Sequence, residues 1–240
     1  MMDTLGPSSL NGRQERILEQ TASQGFVTIE NLAKEFDVSA QTVRRDIIML
    51  SEAGLLQRFH GGAGIIGSDE ALRLDYDRKT EISRDDKSRV ARAAALLVGD
   101  HATVFLDVGT TVEALAQELN NRPGFRVFTN STRAALHFDP HRHEIMVLGG
   151  RLAGRDGSLV GEEIVLTLSN LKIDVAFLGC SAIDDAGRVM DYDLSKIAVK
   201  KVAIASASEK FLLASPSKFG RSALAAFANV TDFDKVVDGT

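Results

Sequence analysis

Three groups of residues in this chain have types and spacings that can do chemistry. The first is Ser39-x-Gln41-Thr42-x-Arg44-Arg45-Asp46. Gln41, Thr42, Arg44 and Arg45 offer donors within two helical turns, a set able to meet base edges and phosphates in a DNA major groove. The second lies at the ends of apolar runs: Asp107-x-Gly109-Thr110-Thr111, Thr129-Asn130-Ser131, Gly149-Gly150-Arg151 and Gly179-Cys180-Ser181. A Gly-Thr-Thr turn that opens a helix presents backbone N–H groups and two hydroxyls to a phosphate. The third is charge. Lys218, in Ser217-Lys218-Phe219-Gly220, can reach an anion, and Asp184, Asp191 and Asp193 can accept hydrogen bonds from sugar hydroxyls. Arg151, Arg155 and Asp156 stand in a glycine-rich turn, residues 149–161, suited to cover a pocket. His141-x-His143 beside Asp139 lacks the further ligands of a metal site. It is expected to be a solvated loop, with no metal and no cofactor.

Each group needs elements to hold it. Ser39 is a good N-cap, because its hydroxyl accepts from an otherwise orphaned backbone N–H. Val43, Ile47 and Leu50 follow at i, i+4 and i+7 and make one apolar helix face. That helix is expected to run to about residue 53, with Gly54 as its stop. Before it come a helix over 10–23 ended by Gly25, an extended Phe26-Val27, and a second helix capped by Thr28. The second helix turns Ile29, Leu32, Ala33 and Phe36 inward. After it, residues 55–63 read as a hairpin turning at Gly61-Gly62, with Arg58 and His60 on it. A third helix followed by a small hairpin is a winged helix-turn-helix.

From a helix starting near Asp85, short apolar runs alternate with helical stretches. The runs are 102–107, 126–129, 144–148, 174–179, 210–214 and 235–237. Such alternation predicts an α/β domain with a mainly parallel sheet, whose ligands bind beyond the carboxyl ends of its strands. The expected organisation is a DNA-binding domain over 10–64, a linker over 65–80 and an effector-binding, oligomerising domain over 81–240.

Composition bounds the function. Apolar residues at 44% support a sizeable core, and one cysteine, Cys180, excludes an intramolecular disulfide. No apolar run nears the roughly 18 residues of a membrane helix. The polar N-terminus has no apolar signal region, so the expected location is the cytoplasm, with no membrane partner. The net charge of −5 excludes general attraction to nucleic acid. Residues 1–66 carry six Lys/Arg against eight Asp/Glu, a net −2. Arg44, Arg45, Arg58 and His60 concentrate the basic groups on the third helix and the wing. Two or more copies would add their contacts on one operator, so a homodimer or homotetramer with paired half-sites is expected.

Arg13-x-x-x-Ile17, Gly25-x-Val27, Leu32-Ala33, Val38-Ser39-x-x-Thr42-Val43-Arg44-Arg45-Asp46, Gly54-Leu55-Leu56 and Arg58-x-His60-Gly61-Gly62-Ala63 resemble the N-terminal domain of the DeoR family of bacterial transcriptional repressors. The Asp-x-Gly-Thr-Thr, Thr-Asn, Gly-Gly, Gly-Glu and Ser-Lys-Phe-Gly elements resemble the effector domain of that family, closest to its glycerol-3-phosphate subgroup. The resemblance implies a fold similar to ribose-5-phosphate isomerase and a phosphorylated sugar or polyol as effector. It also implies Asp107, Gly109, Thr110, Thr111, Asn130, Gly149, Gly150 and Lys218 as pocket residues. Ser131, Arg151, Asp184 and Asp191 join them from the reading of the residues.

The expected function is a repressor of a carbohydrate or glycerol-phosphate operon, released from double-stranded operator DNA by that effector. Gln41 and Arg44 are the candidates for base contacts, and Ser39, Thr42, Arg45 and Arg58 for phosphate contacts. Asp46 is expected to pair with an arginine. The alternative is a sugar-phosphate isomerase with an appended DNA-binding module. Isomerisation needs a general base beside the substrate carbon. Asp184 or Asp191 are available, but no paired acid and base is forced.

Overall fold

A computed structural model of the chain describes residues 10–24, 26–59, 62–65, 84–122, 124–153 and 156–240. Gly25, His60, Gly61, Arg155 and nearly all of the expected linker lie outside the described residues. The chain divides into two compact units, Met1–Asp75 with Gly220–Leu224, and Tyr76–Phe219 with Ala225–Thr240.

The first unit holds three helices, α1 (Gly12–Gln24), α2 (Ile29–Glu35) and α3 (Ala40–Glu52), and three short strands. The strands β1 (Phe26–Thr28), β2 (Leu56–Phe59) and β3 (Gly62–Ile65) form an antiparallel sheet in the order β1-β3-β2. Thr28 caps α2 by accepting from the Asn31 N–H at 3.1 Å. Ser39 caps α3 by accepting from the Thr42 N–H at 3.1 Å. Gly54, at φ 70°, closes α3 in the left-handed region that disfavours other residues. Val43, Ile47 and Leu50 are buried against Ile17, Leu32, Leu56 and Ala63. Each such side chain contributes about 1.5–3 kcal/mol on burial, so the apolar stripe fixes the rotation of α3. This is a winged helix-turn-helix.

The second unit is built on β4 (Thr103–Leu106), β5 (Arg126–Thr129), β6 (Glu144–Val147), β9 (Ile173–Gly179), β12 (Ala207–Leu213) and β14 (Lys235–Val237). They form a six-stranded sheet in the order β14-β12-β9-β4-β5-β6 with every pair parallel. Side chains alternate along each strand. Val104, Leu106, Val127, Val175, Phe177, Phe211 and Leu213 face one side. There they pack under α4 (Arg84–Ala95) and α5 (Thr110–Asn120). Phe105, Phe128, Ala176, Leu178 and Leu212 face the other. They pack there under α7 (Glu162–Ser169) and α8 (Leu194–Ser206). The short helix α6 (Thr132–Ala135) follows β5.

Two features depart from the expected alternation. The stretch 149–161 is not only a turn: it contains the antiparallel hairpin of β7 (Arg151–Ala153) and β8 (Ser158–Val160). A second small antiparallel sheet joins β10 (Ala182–Ile183), β11 (Arg188–Asp191) and β13 (Ala225–Asn229). His143 is a correction to the expected solvated loop. It is buried, its ring stacks on Phe125 at 5.7 Å and meets Phe138 edge-on at 5.2 Å, and its Nδ1 accepts from the Phe125 N–H. His141 is exposed, and no metal-binding group is found among the described residues.

Candidate nucleic-acid interface and effector site

The N-terminal turns of α3 sort their side chains by the helical period. Val43, Asp46 and Ile47 are buried, while Gln41, Arg44 and Arg45 are exposed. Ser39 is exposed and Thr42 half-buried, with their hydroxyls 2.9 Å apart. Arg58 is exposed on β2, opposite Ala63. Asp46 does pair with an arginine, and that arginine is Arg13 of α1. Arg13 Nε donates to Asp46 Oδ2 at 2.6 Å and Gln14 Nε2 donates to Oδ1 at 3.2 Å. The hydrogen bond to Asp46 raises the Arg13 pKa above its ordinary value. Asp46 is therefore turned inward as a clamp between α1 and α3, where it cannot repel phosphate. Arg44 and Arg45 are left on the outer face as donors.

In the second unit the carboxyl ends of β4 and β9 meet over one buried ion cluster. Asp107, directly after β4, has no exposed surface. Its Oδ2 accepts from the Gly179 N–H at 3.0 Å and from Lys200 Nζ. Lys200, on the buried face of α8, also donates to the Gly179 carbonyl at 2.9 Å and lies 3.5 Å from Asp191 Oδ2. Burial alone would lower the Lys200 pKa, but Asp107 and Asp191 outweigh it and raise it, so the ammonium stays charged. Asp191 in turn accepts from the Ser181 hydroxyl and the Tyr192 N–H, each at 2.8 Å. The Cys180 thiol beside them is pushed up to about 12 by burial, with Lys218 and Lys200 acting against the rise. It is an inert group at neutral pH, and Lys218 is close enough to act on it.

The cluster is incomplete on one side. Asp107 Oδ1 is buried and has no hydrogen-bond partner among the described residues, and Asn130 Oδ1 is in the same condition. Asn130 Nδ2 donates to the Leu159 carbonyl at 3.1 Å, which orients the amide. A buried acceptor left unpaired costs about 1–3 kcal/mol, and a ligand hydroxyl or amine would offset it. Next to Asp107, α5 starts on Gly109 at φ 128° with no side-chain cap. The N–H groups of Thr110 and Thr111 therefore open a helix N-terminus favourable to an anion. Gly161 likewise leaves α7 uncapped, but there Glu162 and Glu163 occupy the first turn.

The other expected pocket residues fall elsewhere. Gly149, Gly150 and Arg151 line a separate groove of about 800 Å³ with Val160, Glu162, Ser195 and Ala198. Ser195 and Ala198 lie on a different face of α8 from Lys196 and Lys200. A Cβ on Gly150 would stand 2.8 Å from the Val160 carbonyl oxygen, so this glycine serves the close approach of β8. Ser131 is buried as the cap of α6, accepting from the Ala134 N–H at 3.1 Å. Asp184 is taken up by its own turn, with Arg188 Nε at 2.7 Å and the amides of Ala186 and Arg188. Asp193 caps α8. Asp156 is 2.5 Å from Lys196 Nζ and ties the β7–β8 hairpin to α8.

Lys200 is absent from the expected site residues, although the sequence carries a signal for it. It sits three residues after Ile197 and three before Ala203, both buried, so a lysine interrupts an apolar helix stripe. Such a position demands a buried partner.

A winged helix-turn-helix joined to an α/β domain with buried, unpartnered acceptors at the strand ends is the layout of a ligand-sensing transcriptional regulator. The chain belongs to the DeoR family: residues 13–69 match the DeoR-like helix-turn-helix domain and residues 82–240 the DeoR C terminal sensor domain. It is 33% identical over 225 residues to the glycerol-3-phosphate regulon repressor of Escherichia coli (strain K12), covering 93% of this chain and 88% of that one. It is 33% identical over 212 residues to the lactose phosphotransferase system repressor of Lactococcus lactis subsp. lactis, covering 87% and 83%. Ribose 5-phosphate isomerase A from Methanocaldococcus jannaschii is similar over 57% of this chain and 54% of that one, at 20% identity and a TM-score of 0.43. The matched domains and curated relatives are those of regulators, so the isomerase alternative is set aside. No helix among the described residues is long and apolar enough to cross a membrane.

Proposed function

We propose that this chain is a cytoplasmic repressor of a carbohydrate or glycerol-phosphate operon, and that a phosphorylated sugar or polyol releases it from operator DNA. The observation that carries the effector half is the pair of buried, unpartnered oxygens, Asp107 Oδ1 and Asn130 Oδ1. They ask for donors of the kind polyol hydroxyls supply. The uncapped start of α5 at Gly109-Thr110-Thr111, with Lys218, takes the phosphoryl end. Asp191 positions Lys200 and acts through it. Gly149, Gly150, Arg151, Ser131 and Asp184 are left out of this pocket, because their contacts build the neighbouring hairpins and helix caps.

In the DNA half, Gln41 and Arg44 read bases, while Ser39, Thr42, Arg45 and Arg58 hold phosphates, with His60 beside them on the wing. The helix-turn-helix domain has a net negative charge, so the working unit is a homodimer or homotetramer that places paired helices on two half-sites.

The test is a melting-temperature panel on the full chain with glycerol 3-phosphate, fructose phosphates and pentose phosphates, each beside its unphosphorylated counterpart. A ligand that binds only the folded state raises the melting temperature. A rise with a phosphorylated compound and none with its neutral counterpart is expected. No rise with any compound removes the effector reading.

A further inference from the structure

Asp107 and Asn130 stand at one level of the sheet. β4 and β5 pair in register up to Leu106 opposite Thr129, so the next residue on each strand is the counterpart of the other. Both continue the alternation of Phe105 and Phe128, toward the face covered by α7 and α8, and Lys200 of α8 meets Asp107 there. Asp107 is 0% exposed and Asn130 1%. Each has one oxygen without a hydrogen-bond partner among the described residues.

Both free oxygens are acceptors, and their surroundings keep them so. Lys200 Nζ and the Gly179 N–H hold Oδ2 of Asp107. Asp107 is thus the carboxylate of an ion pair, a group that only accepts. The Asn130 side chain donates from Nδ2 to the Leu159 carbonyl at 3.1 Å, while the Leu159 N–H donates to the Asn130 carbonyl at 2.7 Å. Turning the amide over would set oxygen against oxygen, so the network fixes Oδ1 as the free atom. Charge points the same way. Two carboxylates, Asp107 and Asp191, share one ammonium, Lys200, a formal excess of one negative charge. A hydroxyl can donate to such a pair of oxygens. A ligand carboxylate has no hydrogen to give and adds a like charge.

We propose that Asp107 and Asn130 set the ligand specificity of the sensor domain: they admit a phosphorylated polyol or sugar whose far end carries hydroxyls and reject the phosphorylated acid with a carboxylate at that end. Lys200 is the positioning residue, holding Oδ2 of Asp107 so that Oδ1 is left for the ligand. The sensor thereby distinguishes a sugar phosphate from the corresponding phosphorylated sugar acid. This rests on the effector reading above.

The experiment is calorimetric titration of the full chain with matched pairs: glycerol 3-phosphate and 3-phosphoglycerate, ribose 5-phosphate and 5-phosphoribonate, glucose 6-phosphate and 6-phosphogluconate. In every pair that binds, the hydroxyl member is expected to have a Kd tighter on the order of tenfold or more. Asp107→Asn removes one charge and supplies a donor, while Lys200 keeps Asp191 as a partner. That preference is expected to shrink on the order of tenfold in this variant; a merely structural role would weaken both members alike and leave the ratio unmoved. Asp191→Asn removes the same charge with Asp107 in place, and carries the test, with the same direction expected, should the first variant fail to fold. A wild-type chain that binds the acid as tightly as its hydroxyl partner overturns the inference and leaves the pocket reading intact. So does a folded Asp107→Asn with the full wild-type preference or, where that variant does not fold, a folded Asp191→Asn with it. A wild-type chain that binds none of these compounds overturns both.

Discussion

Two buried carboxylates, one in each domain, make the same kind of bond and do different work. Asp46 has both oxygens engaged, Oδ2 by Arg13 and Oδ1 by Gln14. Asp107 has one oxygen crowded, with Lys200 and the Gly179 N–H both on Oδ2, and the other empty. A satisfied carboxylate holds two helices together and has nothing left to offer. An unsatisfied one is costly by itself and becomes a recognition element when a donor arrives. In this chain the DNA-binding domain uses its buried acid to fix α3 so that its exposed donors are presented. In the proposed function the sensor domain uses its buried acid as part of the effector site.

Three substitutions test the roles assigned to the two domains. The largest effect is expected from Lys200→Met, which leaves Asp107 buried beside Asp191 without its cation. Removing one partner of a buried ion pair costs about 3–5 kcal/mol, and denaturant unfolding of the full chain measures it. A loss below about 1 kcal/mol, of the size found for exposed pairs, would mean that the cluster is open to water. Next is Asp46→Ala, which strands Gln14 and frees Arg13. It is expected to destabilise the DNA-binding domain by about 1–3 kcal/mol and to leave binding of the phosphorylated ligand unaltered; a weaker ligand Kd would show that this acid is not confined to its own domain. The smallest stability effect is expected from Arg44→Ala, since its side chain is exposed. Its effect lies in DNA binding, a loss of roughly 1–3 kcal/mol of discrimination if it contacts a base bidentately. Equal weakening on specific and random DNA would reassign Arg44 to phosphate contact.

Much of this is legible in the sequence where the signal is local. The helix caps Thr28 and Ser39, the apolar stripe Val43-Ile47-Leu50 and the six parallel strands all follow from spacing within a dozen residues, whereas Asp193, expected to meet sugar hydroxyls, caps α8 instead. Asp107, Gly109 and Asn130 are legible because polar residues end apolar runs. What the sequence hides is non-local. Lys200 meets a carboxylate 93 positions away, and the small sheet pairs β11 with β13 across more than thirty residues. The strands of the β7–β8 hairpin have three residues each, too short for alternation to show. Gly149, Gly150 and Arg151 resemble the other strand ends in composition, yet β6 is the edge strand of the sheet. They line a groove of their own, away from the two central strands that carry the ion cluster.

We propose that a ligand at Asp107 controls the hold of α3 on DNA. The most direct measurement is fluorescence anisotropy of a labelled fragment from upstream of the gene itself, bound by the full chain and titrated with the phosphorylated compound that raises its melting temperature. The wild-type complex is expected to dissociate as the compound is added. The Asp107→Asn complex, with the charged acceptor gone, is expected to stay bound over the same range. Release of the Asp107→Asn complex at the wild-type midpoint would contradict the account.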